Sequence, residues 1–428
     1  MYRQTYPDAP GMHTSGPDSH TRVTYRDNPG FFSRVGNSFC GAFFGFLLFC
    51  GSFPVLFWNE GRAVQTAQSL DEGLRSVIHL STVDVAFEHN NHKLVYFTGP
   101  LSTDKPLTDA DYAITVPAVK LKKHVEMYQW VEHEHTKEYK EGNQVRRETT
   151  YTYNNEWRSD LVNSRNFDRE MGHKNPGSMP VQSRTITAED VTIGNFHLSS
   201  GLIGKISHFK QYPLAKSHLV PSDPQVKVFQ GAFYHSADPI RPTVGDVRVE
   251  FSYAGLSANS ELGPADHVSI VARQAGNRLQ PYQTEAGDAL ELLYYGVLSP
   301  EKIFEAEHAA NTMLTWAVRV GGWFMMFIAL FLMTNILQTL VDWIPLLREI
   351  VSLGLFIVNL SVSLSLSLTT IALGWIRYRP LIGLSLLACA AVPWFLSRQR
   401  ARNLRKEKDD KTDNILFNNL DEKAYYSK

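Results

Sequence analysis

FCGAFFGFLLFCGSFPVLFW, residues Phe39–Trp58, decides what kind of chain this is. It is an uncharged, largely apolar run of the length that crosses about 30 Å of hydrocarbon as a helix. Thirty-eight mostly polar residues precede it, so it reads as a signal anchor rather than a cleavable leader. Three further apolar runs follow near the other end: Val320–Leu340, Val351–Trp375 and the shorter Leu381–Leu396. Trp58, Trp316, Trp323, Trp343, Trp375 and Trp394 lie at or near the run ends, as an interfacial aromatic belt requires. The mean hydropathy of −0.21 conceals these runs because the middle of the chain is so polar.

Working outward gives an α+β membrane protein: four transmembrane helices, with a large β-rich domain inserted between the first and second. The boundaries read as a disordered tail over 1–38, spans at 39–58, 312–340, 351–376 and 380–396, a polar domain at 59–311 and a basic tail at 397–428. The polar domain carries 25 Lys and Arg against 32 Asp and Glu. The stretch Ser397–Lys408 holds six basic residues and one acidic residue, which favours a cytosolic C-terminus. With four spans, both termini then share that side and residues 59–311 are lumenal. Arg377 and Arg379, between the last two runs, count against this orientation. The three cysteines, Cys40, Cys50 and Cys389, all fall in apolar runs, so the polar domain must fold without disulfides.

Helical readings flank the polar domain. GRAVQTAQSLDEGLRSVI follows the first span, with Ser69 and Glu72 spaced as a capping box. Ser299-Pro300-Glu301 starts a helix expected to run over about 300–340. Between them LVYFTG, YAITVPAV, VEMYQWVE, TTYTYNNEW, VKVFQGAFY, VRVEFSYAGL and VSIVARQ are rich in β-branched and aromatic residues. Aligning Phe97-x-Gly99 with Phe229-x-Gly231 brings Pro106 near Pro239 and Asp111 near Asp246. Such a repeat would make two similar units, about 60–200 and 201–311; the alternative is one sheet reusing its turn chemistry.

KKHVEMYQWVEHEH, residues 122–135, is dense in His and Glu. A zincin helix needs His-Glu-x-x-His, and after His133-Glu134 the position of the second His is held by Lys137. His89, His92 and His173 have no ligand spacing to His133 and His135. Alternation serves the stretch better: Val125, Met127, Gln129 and Val131 share one strand face, Glu126, Tyr128, Trp130 and Glu132 the other. A turn at residues 141–143 then leads into a second strand with Tyr151, Tyr153 and Trp157. Glu134, Lys137, Glu138, Arg146, Arg147 and Glu148 become cross-strand pairs on a solvated face. Tyr128 and Trp130 are the candidates for a lumenal docking surface. There is no nucleophile elbow, phosphate-binding Gly loop, dinucleotide fingerprint or nucleic-acid stripe, and Gly201-x-x-Gly204 reads only as a turn. An enzyme, a cofactor, a metal or a nucleic-acid partner is therefore not expected.

The third run contains NLSVSLSLSLTT, residues 359–370. Its alternation would suggest a strand in a soluble protein, but the surrounding apolar run decides for a helix. On a helix Asn359, Ser363 and Ser367 make one rail, and Ser361, Ser365 and Thr369 a second about 200° around. Two small polar faces pack helices on both sides, as does Gly41-x-x-x-Gly45 in the first span. They are the candidates for helix packing and self-association. Lining a pore is the other reading, as a channel subunit or a conductance modulator.

Several long segments carry a resemblance: NEGRAVQTAQSLDEGL (59–74), VPAVKLKKHVEMYQWVE (116–132), YTYNNEWRSDLVNSRNFDREMGHKNP (151–176), LSSGLIGK (198–205), VGDVRVEFSYAGLS (244–257) and LMTNILQTLVDWIP (332–345). With these the chain resembles the transmembrane protein 43 family, also called LUMA. The resemblance implies a four-span protein of the endoplasmic reticulum and inner nuclear membrane, with cytosolic or nucleoplasmic termini and a lumenal domain. It implies a self-associating scaffold with emerin and lamins as partners, and roles in innate-immune and NF-κB signalling assemblies and in gap-junction-linked conductance. It supplies no catalytic residue. The tail after about Arg402 departs from the family pattern.

Overall fold

The computed structural model describes residues 18–27, 31–141, 144–215, 226–340 and 345–381. The chain divides into two compact units. Among the described residues, one holds 18–27 and those within 69–306, the other 31–68 and those within 307–381.

The first unit is β-rich. Its strands are β1 (Ser19–Asp27), β2 (Leu94–Pro100), β3 (Ala118–Glu141), β4 (Gln144–Arg158), β5 (Lys227–Phe229), β6 (Ala232–His235), β7 (Val247–Leu256), β8 (His267–Ala275) and β9 (Leu292–Tyr295), with shorter strands between. One eight-stranded sheet follows the path β1-β4-β3-β7-β6-β5, with two short strands off it, Lys210–Gln211 on β7 and Arg184–Thr187 on β3. The second is centred on β8, which pairs with β2 along one edge and β9 along the other. The expected hairpin is present. β3 and β4 pair antiparallel in continuous register from Met127↔Arg158 to Glu141↔Gln144.

Period-2 patterning explains how the sheets bury a core. Val125, Met127, Gln129 and Val131 are buried while Glu126, Tyr128, Trp130 and Glu132 are half-buried. Val125 and Met127 join Phe233, Val249 and Phe251 of the first sheet and Phe97, Val268 and Ile270 of the second in one apolar cluster. Gln129 is buried without loss because Asp160 O accepts from its Nε2 (3.0 Å) and Val162 N donates to its Oε1 (2.8 Å). A second cluster, with Leu94, Tyr96 and Val271, packs Leu70, Ile303 and Phe304 against the second sheet.

Four expectations differ from the structure. Residues 19–27, read as part of a disordered tail, pair here as β1 with β4, a pairing that a full membrane crossing by α1 would undo. The polar composition hid the alternation of Thr21, Val23 and Tyr25, and Asp168 accepts from Arg22 (2.7 Å). Ser69 and Glu72 do not start a helix, because α1 runs unbroken over Phe31–Ser76. Ser69 instead bonds Thr284 (2.9 Å), and the Glu72 carboxylate accepts from Glu285 N (2.9 Å), so the same two side chains tie down a loop. Gly201 and Gly204 lie in a short helix, α2 (Ser200–Lys205), whose cap Ser199 accepts from Leu202 N. Finally, the two halves read as repeats are not separate units. β3 pairs with β7 and β2 with β8, so both sheets draw on both halves. The aligned glycines also differ: Gly231 follows Gln230 in a tight turn with both φ positive, whereas Gly99 lies within β2.

The second unit holds three long apolar helices: α1, α3 (Pro300–Leu340) and α4 (Pro345–Tyr378). Each is long and apolar enough to cross a membrane. The expected start of α3 at Ser299-Pro300-Glu301 is observed. All but the first residue of the fourth run, Leu381–Leu396, lies outside the described residues, as does the basic tail.

Candidate functional site

The small-residue positions sort into contacts within the bundle and surface turned away from it. A Cβ at Gly45 would lie 2.7 Å from the carbonyl oxygen of Ala329, so α1 and α3 touch there through backbone. Gly41, four residues earlier, faces open space. On α4 the two rails separate. Asn359, Ser363 and Ser367 are buried, at 2%, 0% and 2% exposure. Asn359 donates to Thr334 Oγ1 on α3 (2.8 Å), while Ser363 and Ser367 bond back to Leu360 O and Leu364 O (3.0 Å each). Self-satisfied hydroxyls leave a small, apolar-like surface that lets helices approach. Ser361, Ser365 and Thr369 are exposed.

Tyr128 and Trp130 are less open than expected. The Tyr128 ring packs on Trp157 (5.2 Å between centroids), and Arg248 lies over the other partner of that stack at 4.9 Å from the Trp157 ring. Trp130 meets the edge of His173 at 4.8 Å, and the side chain of Asn175 bonds both its N–H and its carbonyl. The loop carrying His173 and Asn175 thus half-covers this face. Tyr153 stacks on His173 at 3.9 Å and donates to Glu132 (2.7 Å). Burial, then that bond to Glu132, pushes the Tyr153 phenol well above its usual range. His133 pairs with Glu156 (2.6 Å) and His135 lies opposite Thr150, both on exposed backbone.

The strongest polar site in the bundle was not among the sequence candidates. Glu60 follows the first apolar run by two residues, Arg319 precedes the second by one, and Trp375 closes the third. An antiparallel α1, α3 and α4 bring these three ends to one level. Arg319 Nε and Nη2 donate to the two oxygens of Glu60, both at 2.7 Å. Trp375 Nε1 donates to Glu60 Oε2, also at 2.7 Å. The side chains are 3% (Glu60) and 14% (Arg319) exposed. The Arg319 guanidinium lies between two indoles, 4.9 Å from the Trp316 ring and 5.4 Å from Trp375. The helices close tightly around it. A Cβ at Gly374 would lie 2.9 Å from Glu60 Cβ, and one at Gly322 2.5 Å from Leu56.

A second network sits beside the first. Arg62 donates to Asn311 Oδ1 (3.0 Å), Asn59 Oδ1 (3.3 Å) and Thr315 Oγ1 (3.1 Å), and Asn311 donates to Ala63 O (2.9 Å). Its acceptors are all neutral. The available sequence signal was one acidic and one basic residue at facing ends of consecutive apolar runs, which reads singly as two flanking charges and only together as a pair.

With this geometry in view, relatives can be placed. The family model for transmembrane protein 43 matches residues 127–380. Transmembrane protein 43 of Mus musculus is 49% identical over 390 residues, covering 90% of this chain and 96% of the relative. The Homo sapiens protein is 47% identical over the same shares. The Drosophila melanogaster homolog is 37% identical over 83% of this chain and 93% of its own length. No solved structure matches. A family model over more than half of the chain, joined to near-full-length identity at this level, places the chain in the transmembrane protein 43 family.

Proposed function

We propose that the protein is a multi-pass scaffold of the endoplasmic reticulum and inner nuclear membrane. It self-associates through its spans and organises nuclear-envelope complexes with emerin and lamins, with adaptor roles in innate-immune and NF-κB signalling. The termini face cytosol or nucleoplasm and the β-rich unit faces the lumen. The partners and compartment rest on the family resemblance. One observation carries the self-association: α4 has two polar rails, its own chain buries Asn359, Ser363 and Ser367, and Ser361, Ser365 and Thr369 are left facing outward. In lipid, where apolar burial gives helices no net attraction, such small polar faces drive association.

Crosslinking of the full chain in membranes tests this. Oligomers are expected, and Ser361→Leu with Ser365→Leu should abolish them without lowering thermal stability. A strictly monomeric wild type, or oligomers unchanged in the double variant, would sink the reading.

The membrane reading also bears on β1. This strand precedes the apolar run of α1 and β4 follows it. A helix that crosses a bilayer once separates its two flanks, so a full crossing and the β1–β4 pairing exclude one another in one chain. The magnitudes favour crossing. Each apolar side chain removed from water contributes roughly 1.5–3 kcal/mol, over some twenty residues. The side chains of residues 19–26 are exposed or half-exposed, so pairing rests on hydrogen bonds worth about 1 kcal/mol net each. Ordering each residue costs about as much. In the inserted protein β1 therefore leaves β4.

A further inference from the structure

Residues 60–67 of α1, residues 308–319 of α3 and the C-terminal end of α4 enclose a cavity of about 290 Å³ beside the Glu60–Arg319 pair, lined among others by Glu60, Thr312, Trp316, Arg319, Trp375 and Arg379. Both Glu60 oxygens are taken up by Arg319 and Trp375, so its charge is balanced and its lone pairs are turned inward. Arg319 Nη1 takes no part in that pair. The side chains of Arg379 and Thr312 have no partner among the described residues. Glu60 and Arg319 cancel, and the Arg379 guanidinium leaves one positive charge over. A net positive cavity with unfilled guanidinium and hydroxyl donors is a site for an anion with several oxygens.

Position narrows the class. The cavity lies where three apolar runs end, flanked by two tryptophans, which is headgroup level in a bilayer. Its volume is at the small end of ligand pockets and suits a headgroup rather than a nucleotide or drug-sized molecule.

We propose that this cavity binds a phosphate group at the membrane interface. Arg379 and Arg319 Nη1 donate to its oxygens, Thr312 adds a hydroxyl donor, and Glu60 acts as a positioning residue that holds the Arg319 fork flat between the indoles. The phosphate can come from a phospholipid headgroup or from free anion, and the test separates these.

The full chain, purified in detergent, is titrated with dioleoyl phosphatidic acid in mixed micelles and separately with sodium phosphate. Native mass spectrometry counts adducts, and tryptophan fluorescence follows Trp316 and Trp375. Saturable binding is expected. Arg379→Gln should weaken it about tenfold, the loss of one charge-assisted hydrogen bond, and Thr312→Val should weaken it less. Arg379→Lys should restore most of it. Arg379 is exposed, so these variants are expected to keep the wild-type melting temperature, which is measured alongside. Binding of the lipid alone identifies a headgroup, and equal competition by sodium phosphate identifies the free anion. No saturable adduct with either ligand, or Arg379→Gln and Thr312→Val both within twofold of wild type, would leave only annular lipid and overturn the proposal.

Discussion

The far half of the β3–β4 hairpin and the Glu60–Arg319 pair are both built from opposite charges, yet burial gives them opposite weight. On the hairpin Glu138 and Arg147 stand opposite each other at 3.7 Å with 61% and 53% of their side chains exposed. Solvent screens them, and such pairs contribute about 0–1 kcal/mol. Glu60 and Arg319 meet at 2.7 Å through two parallel bonds, almost wholly out of water. Here desolvation offsets much of the attraction, and the pair acts chiefly by making each partner indispensable to the other. Density of charged letters in the sequence is thus a poor guide to where charge matters. The hairpin has many charges, each of small weight; the Glu60–Arg319 site has one pair of large weight.

Removing one member of the buried pair should break this comparison most sharply. Glu60→Ala leaves the Arg319 guanidinium buried against two indoles, at a cost of about 3–5 kcal/mol. A large fall in the melting temperature of the protein in nanodiscs is expected, with partial recovery in Glu60→Ala plus Arg319→Leu. An unchanged melting temperature for Glu60→Ala would mean the pair is solvated after all. The next effect is steric. Gly45→Leu should cost about 1–3 kcal/mol by forcing α1 from α3, while Gly41→Leu, which meets open space, should cost almost nothing. Equal costs at both positions would show that the α1–α3 contact is not made there.

A tag at the N-terminus sharpens the same contrast from the other side. In sealed microsomes a protease that removes the tag should leave the β-rich unit intact. Protection of both together would show that β1 remains on β4. On the hairpin, His133→Ala with His135→Ala should change stability by less than about 0.5 kcal/mol, as surface substitutions do. A larger loss would point to a role that their exposure does not suggest. The smallest signal is spectroscopic. Tyr153 is neutral in the fold and its pKa is raised, so its contribution is fully present below about pH 10, the unfolded value, and is lost as pH rises through the folded one. Burial also pushes up Tyr96, Tyr151, Tyr212 and Tyr295, so absorbance titration should show a late group of tyrosines after the exposed ones, and Tyr153→Phe should shrink that late step by one.

The sequence alone was enough for elements whose signal is local. An uncharged twenty-residue run, a Ser-Pro-Glu helix start and a period-2 alternation each constrain neighbouring residues, and α1, α3 and the β3–β4 hairpin follow from them. It also separated two rails on α4, because helical spacing is a property of one helix. What it could not do was tell the rails apart. Which one is buried depends on where α1 and α3 lie, and neither serine rail carries that information. The same holds for Ser69 and Glu72, whose spacing fits a cap until the unbroken helix gives them a loop to hold. It holds most for Glu60, Arg319 and Trp375. They are separated by some 260 and 56 residues, and each alone looks like an ordinary flank of an apolar run. Only tertiary structure brings three run ends together, and only removal from water turns an acid, a base and an indole into one interdependent site.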